Sequence, residues 1–269
     1  MPIYGQRPGK PELGAMIDRS RPLSQGLVFF APLSEGAGLS AYDAASSNTL
    51  SLPITAATWG SGLMGGLSCT SSTQGAQVTT PANLKLTGPM SIAVAFRLLS
   101  SPSGSNRQFF GASFASTNTT PFNAVILGYR NVSSSLTMLV GTGNVSSSIT
   151  PTVGADYVSS ATISGTTGTL YVNGVQAASG AVSAPSYSAS SILAIGANTA
   201  FGVNPGILVY WAALWSRSLA ATEHAAIGAA PSAIFGRVFM PQAYRLFGVT
   251  ANFRTRRTLY DRAGSRGVA

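Results

Sequence analysis

The stretch GILVYWAALWSRSLAATEHAAIGAAPSAIF, Gly206 to Phe235, decides the fold. Ile207–Trp215 is apolar at odd and even positions alike, so both faces of an extended segment would be buried, as in a strand inside a sandwich. Ser216–Ala220 breaks the run. ATEHAAIGA then reads as one short helix over 221–229, with Glu223 in its first turn and Pro231 beyond its end. Upstream, YVNGV at Tyr171–Val175 is the clearest local signal. Asn-Gly accepts the positive φ angles of a tight hairpin turn, and apolar residues flank it.

The same punctuation recurs along the chain: short Val/Ile/Tyr/Phe runs separated by Gly, Pro, Asn and Ser, the pattern of an all-β sandwich or barrel. Long amphipathic Glu/Lys stretches are missing, which excludes a helical bundle. Ser100–Asn106 and Ala115–Asn123 read as polar loops. The single Cys69 excludes an internal disulfide framework and suits a small buried strand residue. MPIYGQRPGKPELG has no apolar leader core, and the longest apolar run is too short to span a bilayer. A soluble protein made in a cytoplasm, with no membrane partner, is expected. The sequons at Asn118, Asn131 and Asn144 read as chance in so Ser/Thr-rich a chain.

Several segments, in order, resemble laminin-G/concanavalin A-like domains of tailed-bacteriophage structural proteins. In the closing segment the matching residues are Ala213, Leu214, Arg217, Leu219, Glu223, Ile227, Pro231 and Phe235. GLVFFAPLSEGAG (Gly26–Gly38) with Asp43 is similar to the opening strand and turn. TWGSGLMGGLSC (Thr58–Cys69), PMSIAVAFRL (Pro89–Leu98, with Phe96 in the aromatic place), GTTGTLYVNGVQAAS (Gly165–Ser179) and ILAIGAN (Ile192–Asn198) follow in the family's order. One departure is Ala220, where the family usually has a Ser or Thr cap; Ser218 is then expected to cap the helix. The resemblance implies a two-sheet antiparallel concanavalin A-like (jelly-roll) sandwich over 24–235, with one short C-terminal helix. Extended arms would lie at 1–23 and 236–269.

The chain has 16 basic and 7 acidic residues, a formal charge of +9. Residues 22–216 hold four basic and three acidic side chains, whereas 217–269 hold eight arginines against Glu223 and Asp261. The basic character therefore sits in the terminal segments. In the C-terminal arm, Phe239, Tyr244, Phe247, Phe253 and Tyr260 are candidate anchors, with Arg254, Arg256, Arg257 and Arg262 pairing at the rim of a protein partner. FRTRRTLYDR could also contact phosphates, but a nearly neutral domain with one basic tail favours protein docking over nucleic acid.

Catalytic constellations are missing. Glycoside hydrolysis needs a placed carboxylate pair, and the core offers only Glu35, Asp43 and Asp156, each beside an expected turn. Asp43 and Asp156 read as turn caps. His224, the only histidine, has no nucleophile elbow or metal-ligand partner and reads as a helix-surface residue. Too few carboxylates are present for a strong calcium site, and Gly141-Thr142-Gly143 reads as a turn. No cofactor is implied. Trp59, Tyr129, Tyr157, Tyr187 and Trp211 are candidate sugar platforms, although most strand aromatics are core.

The expectation from the resemblance is a non-enzymatic virion protein, head-decorating or cement-like, whose arms dock on neighbouring capsid, neck or tail subunits in many copies. The alternatives are a glycan-binding adhesion module of a tail or fibre, a neck or tail component and, last, a glycosidase.

Overall fold

The computed structural model describes residues 16–46, 51–55, 57–60, 65–70, 74–101, 107–112, 125–130, 133–189, 191–196, 206–229 and 234. Sixteen strands and one α-helix are present among them. The strands are β1 (Leu27–Ala31), β2 (Ser40–Tyr42), β3 (Ser51–Thr55), β4 (Thr58–Trp59), β5 (Leu67–Cys69), β6 (Gly75–Thr79), β7 (Met90–Leu98) and β8 (Arg107–Ala112). They continue with β9 (Val125–Arg130), β10 (Ser135–Val140), β11 (Gly143–Ser146), β12 (Asp156–Ser164), β13 (Thr167–Val172), β14 (Val175–Ala181), β15 (Ile192–Gly196) and β16 (Ile207–Trp215). The helix, α1, is Ala221–Gly228.

These strands make two eight-stranded sheets. Sheet one runs β14-β13-β12-β7-β16-β5-β4, with β1 also paired to β16; sheet two runs β11-β10-β9-β8-β15-β6-β3-β2. The pairings are antiparallel. The two-sheet antiparallel sandwich read from the sequence is therefore the observed architecture. β16 lies between β7 on one side and β1 and β5 on the other, as its two apolar faces require. The Asn-Gly hairpin joins β13 to β14, and Asn173 and Gly174 both take positive φ, 50° and 80°.

Alternation sends Phe29, Phe96, Phe110, Leu127, Met138, Ile195 and Leu214 between the sheets, where they are buried. The Phe96 and Phe109 rings meet with centroids 4.1 Å apart and planes tilted by 38°. A second apolar cluster covers the outer face of sheet one: Ile17, Leu23, Phe30, Trp211, Trp215, Leu219, Ile227 and Ile234 are buried together. A bulge in β16 at Tyr210 turns Tyr210 and Trp211 to that same side. Residues 16–23, read from the sequence as part of an arm, run over this face. The indole Nε1 of Trp215 donates to Leu23 O at 2.8 Å, and Arg19 donates to Leu27 O and Ala45 O, both at 2.8 Å.

The helix packs on the other part of the face. Its end meets the hairpin turn backbone to backbone, and a Cβ on Gly228 would collide with the Gly174 nitrogen. Ser218 does not cap α1. Its hydroxyl donates to Ile163 O at 3.4 Å, and Ala220 stands at the N-cap. Glu223 supplies half of a capping box instead, accepting the Ala220 N–H at 2.9 Å.

Candidate functional site

Asp156 is the sole carboxylate on the sixteen strands. It opens β12 on the outer face of sheet one, where register places Arg97 of β7 directly opposite. Arg97 forks onto it through Nε and an Nη at 2.7 and 2.8 Å, and the Tyr210 hydroxyl donates to Oδ1 at 2.7 Å. Partial burial raises the carboxyl's pKa, but Arg97 and Tyr210 outweigh it and hold the group below its ordinary value. The turn-cap reading of Asp156 is thus corrected: a strand residue opposite an arginine on a half-exposed sheet face becomes an ion pair.

The other described carboxylates are also bonded within the fold. Asp43 is buried and accepts the Phe30 and Ala45 N–H groups, both at 2.8 Å, so its reading as a turn residue holds. Burial pushes its pKa up despite those bonds. Glu35 accepts the Tyr42 N–H at 3.0 Å. Asp18 accepts the Ser20 amide and hydroxyl and pairs with Arg21, and the Ser20 bonds lower its pKa. Arg217 grips Glu223 at 2.6 and 2.8 Å and keeps it ionised below the usual carboxylate range. The same guanidinium donates to Gln25 O and Pro22 O, fastening residues 22–25 to the start of α1.

His224 overturns the surface reading. It is fully buried beneath α1. Nδ1 shares a 2.8 Å hydrogen bond with Ser160 Oγ, and Nε2 shares one of 2.8 Å with Thr162 Oγ1, both on β12. The ring lies flat on Tyr171, with centroids 3.9 Å apart and planes 9° apart. Burial depresses its pKa to about 4. A Ser–His contact of this kind could suggest a nucleophile, but Ser160 and His224 are both fully buried.

None of the candidate sugar platforms is an open shelf. Trp211 and Tyr129 are buried. Tyr157 stacks on Phe96 and accepts the Thr152 N–H; Tyr187 donates to Leu86 O, and Trp59 Nε1 donates to Gly38 O at 2.9 Å. The large hydrophobics exposed among the described residues are Met16, Leu39, Leu99, Val153 and Val175, with no aromatic among them. No three His, Cys, Asp or Glu side chains gather to hold a metal ion among the described residues. No described helix is long and apolar enough to cross a membrane. Phe239, Tyr244, Phe247, Phe253, Arg254, Arg256, Arg257, Tyr260 and Arg262 lie outside the described residues.

Two stacked antiparallel sheets with a single short helix define a lectin-like β-sandwich. The chain belongs to the concanavalin A-like lectin/glucanases superfamily, whose laminin-G model matches residues 70–223. A search of curated proteins finds no match. Among solved structures, Trypanosoma rangeli sialidase in complex with sialic acid is similar at a TM-score of 0.59 and 18% identity, over 76% of this chain and 32% of the sialidase. The binding domain of Paraclostridial Mosquitocidal Protein 1 is similar at 0.59 and 13%, over 77% of this chain and 52% of that one. The chain thus spans about a third of the sialidase and half of the toxin domain. At such identities the likeness is one of fold, and a fold does not carry chemistry with it.

Proposed function

We propose that the protein is a non-catalytic structural subunit of a bacteriophage virion, most specifically a head-decorating protein that docks on neighbouring subunits through its terminal arms. The observation that carries the non-catalytic part is the lone strand carboxylate. Sugar hydrolysis on such a sandwich needs two carboxylates facing a substrate. Here the strands supply Asp156 alone, already bound by Arg97 and Tyr210. The virion part rests on the ordered resemblance that runs from about Ser24 to Phe235. It is supported by a basic, aromatic tail on a nearly neutral domain.

The test supplies tagged full-length chain, or chain ending at Phe235, during infection, and measures copy number in purified particles. Full-length chain should be incorporated and the truncated chain left behind as folded, soluble protein. Normal incorporation of the truncated chain, or absence of both forms, would overturn the proposal. Glycan binding is the second reading, favoured by the sandwich shared with a sialidase and a toxin binding domain. Specific hits on a glycan array, lost on replacing a surface side chain, would establish it in place of the first.

A further inference from the structure

We propose that His224 is an acid-sensitive latch that holds α1 against sheet one. The latch is a continuous hydrogen-bonded chain, buried at Ser91, Ser160 and His224 and part-buried at Thr162. Leu219 N–H donates to Ser91 Oγ at 2.8 Å, and Ser91 Oγ meets Thr162 Oγ1 at 2.8 Å. Thr162 reaches both Leu219 O and His224 Nε2, and Ser160 closes on Nδ1. Three hydroxyls on the outward positions of β7 and β12 thus tie down the entry to α1 and its fourth residue, His224. A neutral imidazole offers one donor and one acceptor, which this arrangement satisfies.

A second proton changes both nitrogens into donors. The single Thr162 proton goes to Leu219 O, so Thr162 accepts from Nε2–H and Ser160 donates to Nδ1; a proton on Nδ1 forces the Ser160 hydroxyl to turn away. A full charge would also stand where no water reaches. The titratable and charged groups around the ring are few. On its own helix there is Glu223, already paired to Arg217; β13 presents the Tyr171 ring; and the facing part of β12 and β14 presents no charge. Asp156, at the far end of β12, is held by Arg97 and Tyr210. Glu223 stays ionised through the range in which a released histidine titrates, so the histidine is the group that changes.

The sign follows from linkage. The latched ring binds a proton less readily than the released ring, so latching is at full strength above about pH 6.5. It weakens as pH falls from there to about 4, and is constant below. Taking those two values, the opening equilibrium of α1 shifts about 30-fold at pH 5. The inference concerns the isolated chain and stands or falls apart from any virion role.

Hydrogen exchange on the full chain at pH 7.5, 6 and 5, corrected for intrinsic rates, tests it. Protection of the peptide spanning Leu219–Gly228 should drop about 30-fold at pH 5 while β16 keeps its protection. His224→Gln, whose amide offers a donor and an acceptor without titrating, should abolish the pH dependence. Equal loss in β16 and α1, no loss in α1, or the same slope in His224→Gln would each overturn the latch. If the variant fails to fold, the wild type still decides. His224 is the chain's one histidine, so its single imidazole NMR signal should titrate far below 6.5, and an ordinary titration would refute the proposal.

Discussion

Asp43 is the place where a carboxylate can be shown to hold structure alone. Among the described residues β1 has a strand neighbour only in β16; on its other side Phe30 offers its N–H to Asp43 Oδ1 and its carbonyl to Ala44 N–H, both at 2.8 Å. The carboxylate and the following turn thus stand in for a missing strand. Asp43→Ala would leave the Phe30 and Ala45 amides without an acceptor in a buried place. At about 1–3 kcal/mol for each orphaned group, less the relief of no longer burying a charge, the loss should be about 2–4 kcal/mol. For a domain of this size that is a fall in Tm of roughly 5–15 °C. Asp43→Asn keeps an oxygen in place and should lose less than half as much. The raised pKa adds a sign. The folded chain binds this proton more tightly than the unfolded one, so the side chain's contribution is fullest below pH 3.8 and declines as pH rises through the folded-state value. The deficit of Asp43→Ala should therefore narrow from acid to neutral pH. Urea unfolding of the three proteins at pH 3.5 and 7 measures this. Equal losses for Asn and Ala, or a loss under about 0.5 kcal/mol in Asp43→Ala, would refute the reasoning.

Other outcomes follow from the same contacts. Arg217→Ala should cost about 1–3 kcal/mol in chemical unfolding and raise proteolysis within residues 16–25, because it frees both Glu223 and the Pro22 and Gln25 carbonyls. Arg97→Ala breaks a half-exposed pair and should cost at most about 1 kcal/mol. Millimolar calcium or a chelator should move Tm by less than about 1 °C, since the described carboxylates are already occupied. On the proposed virion role, replacing Arg254, Arg256, Arg257 and Arg262 should weaken incorporation into particles less than replacing Phe239, Tyr244, Phe247, Phe253 and Tyr260, and its effect should fade with added salt.

The sandwich was legible where sequence and burial speak the same language. Ile207–Trp215 has no polar residue to expose, and Asn173-Gly174 fits little but a tight hairpin turn. His224 was not legible. ATEHAAIG carries alanine around much of the helix, so no contrast between faces marks His224 and Ile227 as the buried pair. Its partners Ser160 and Thr162, and Ser91 behind Thr162, occupy outward positions of their strands, where hydroxyls ordinarily meet water. Only the sheet order β12-β7 gathers them under the helix. A lone histidine in a helix that follows hydroxyl-bearing strands was the available clue. Asp156 was misplaced for a related reason: its partner Arg97 lies 59 residues away and becomes a neighbour through strand register alone.

The fastening of residues 22–25 to the end of β16 also sets how the domain would bear a pull. Leu27 and Trp215 are opposite each other, so tension between the segments before β1 and after β16 would peel that pair open one rung at a time, the weakest way to load a sheet. The Trp215 indole, reaching from that pair to Leu23, and Arg217 just beyond it cross-tie the two segments. Force entering by one segment and leaving by the other would meet the indole and guanidinium bonds before the strand rungs beyond Leu27.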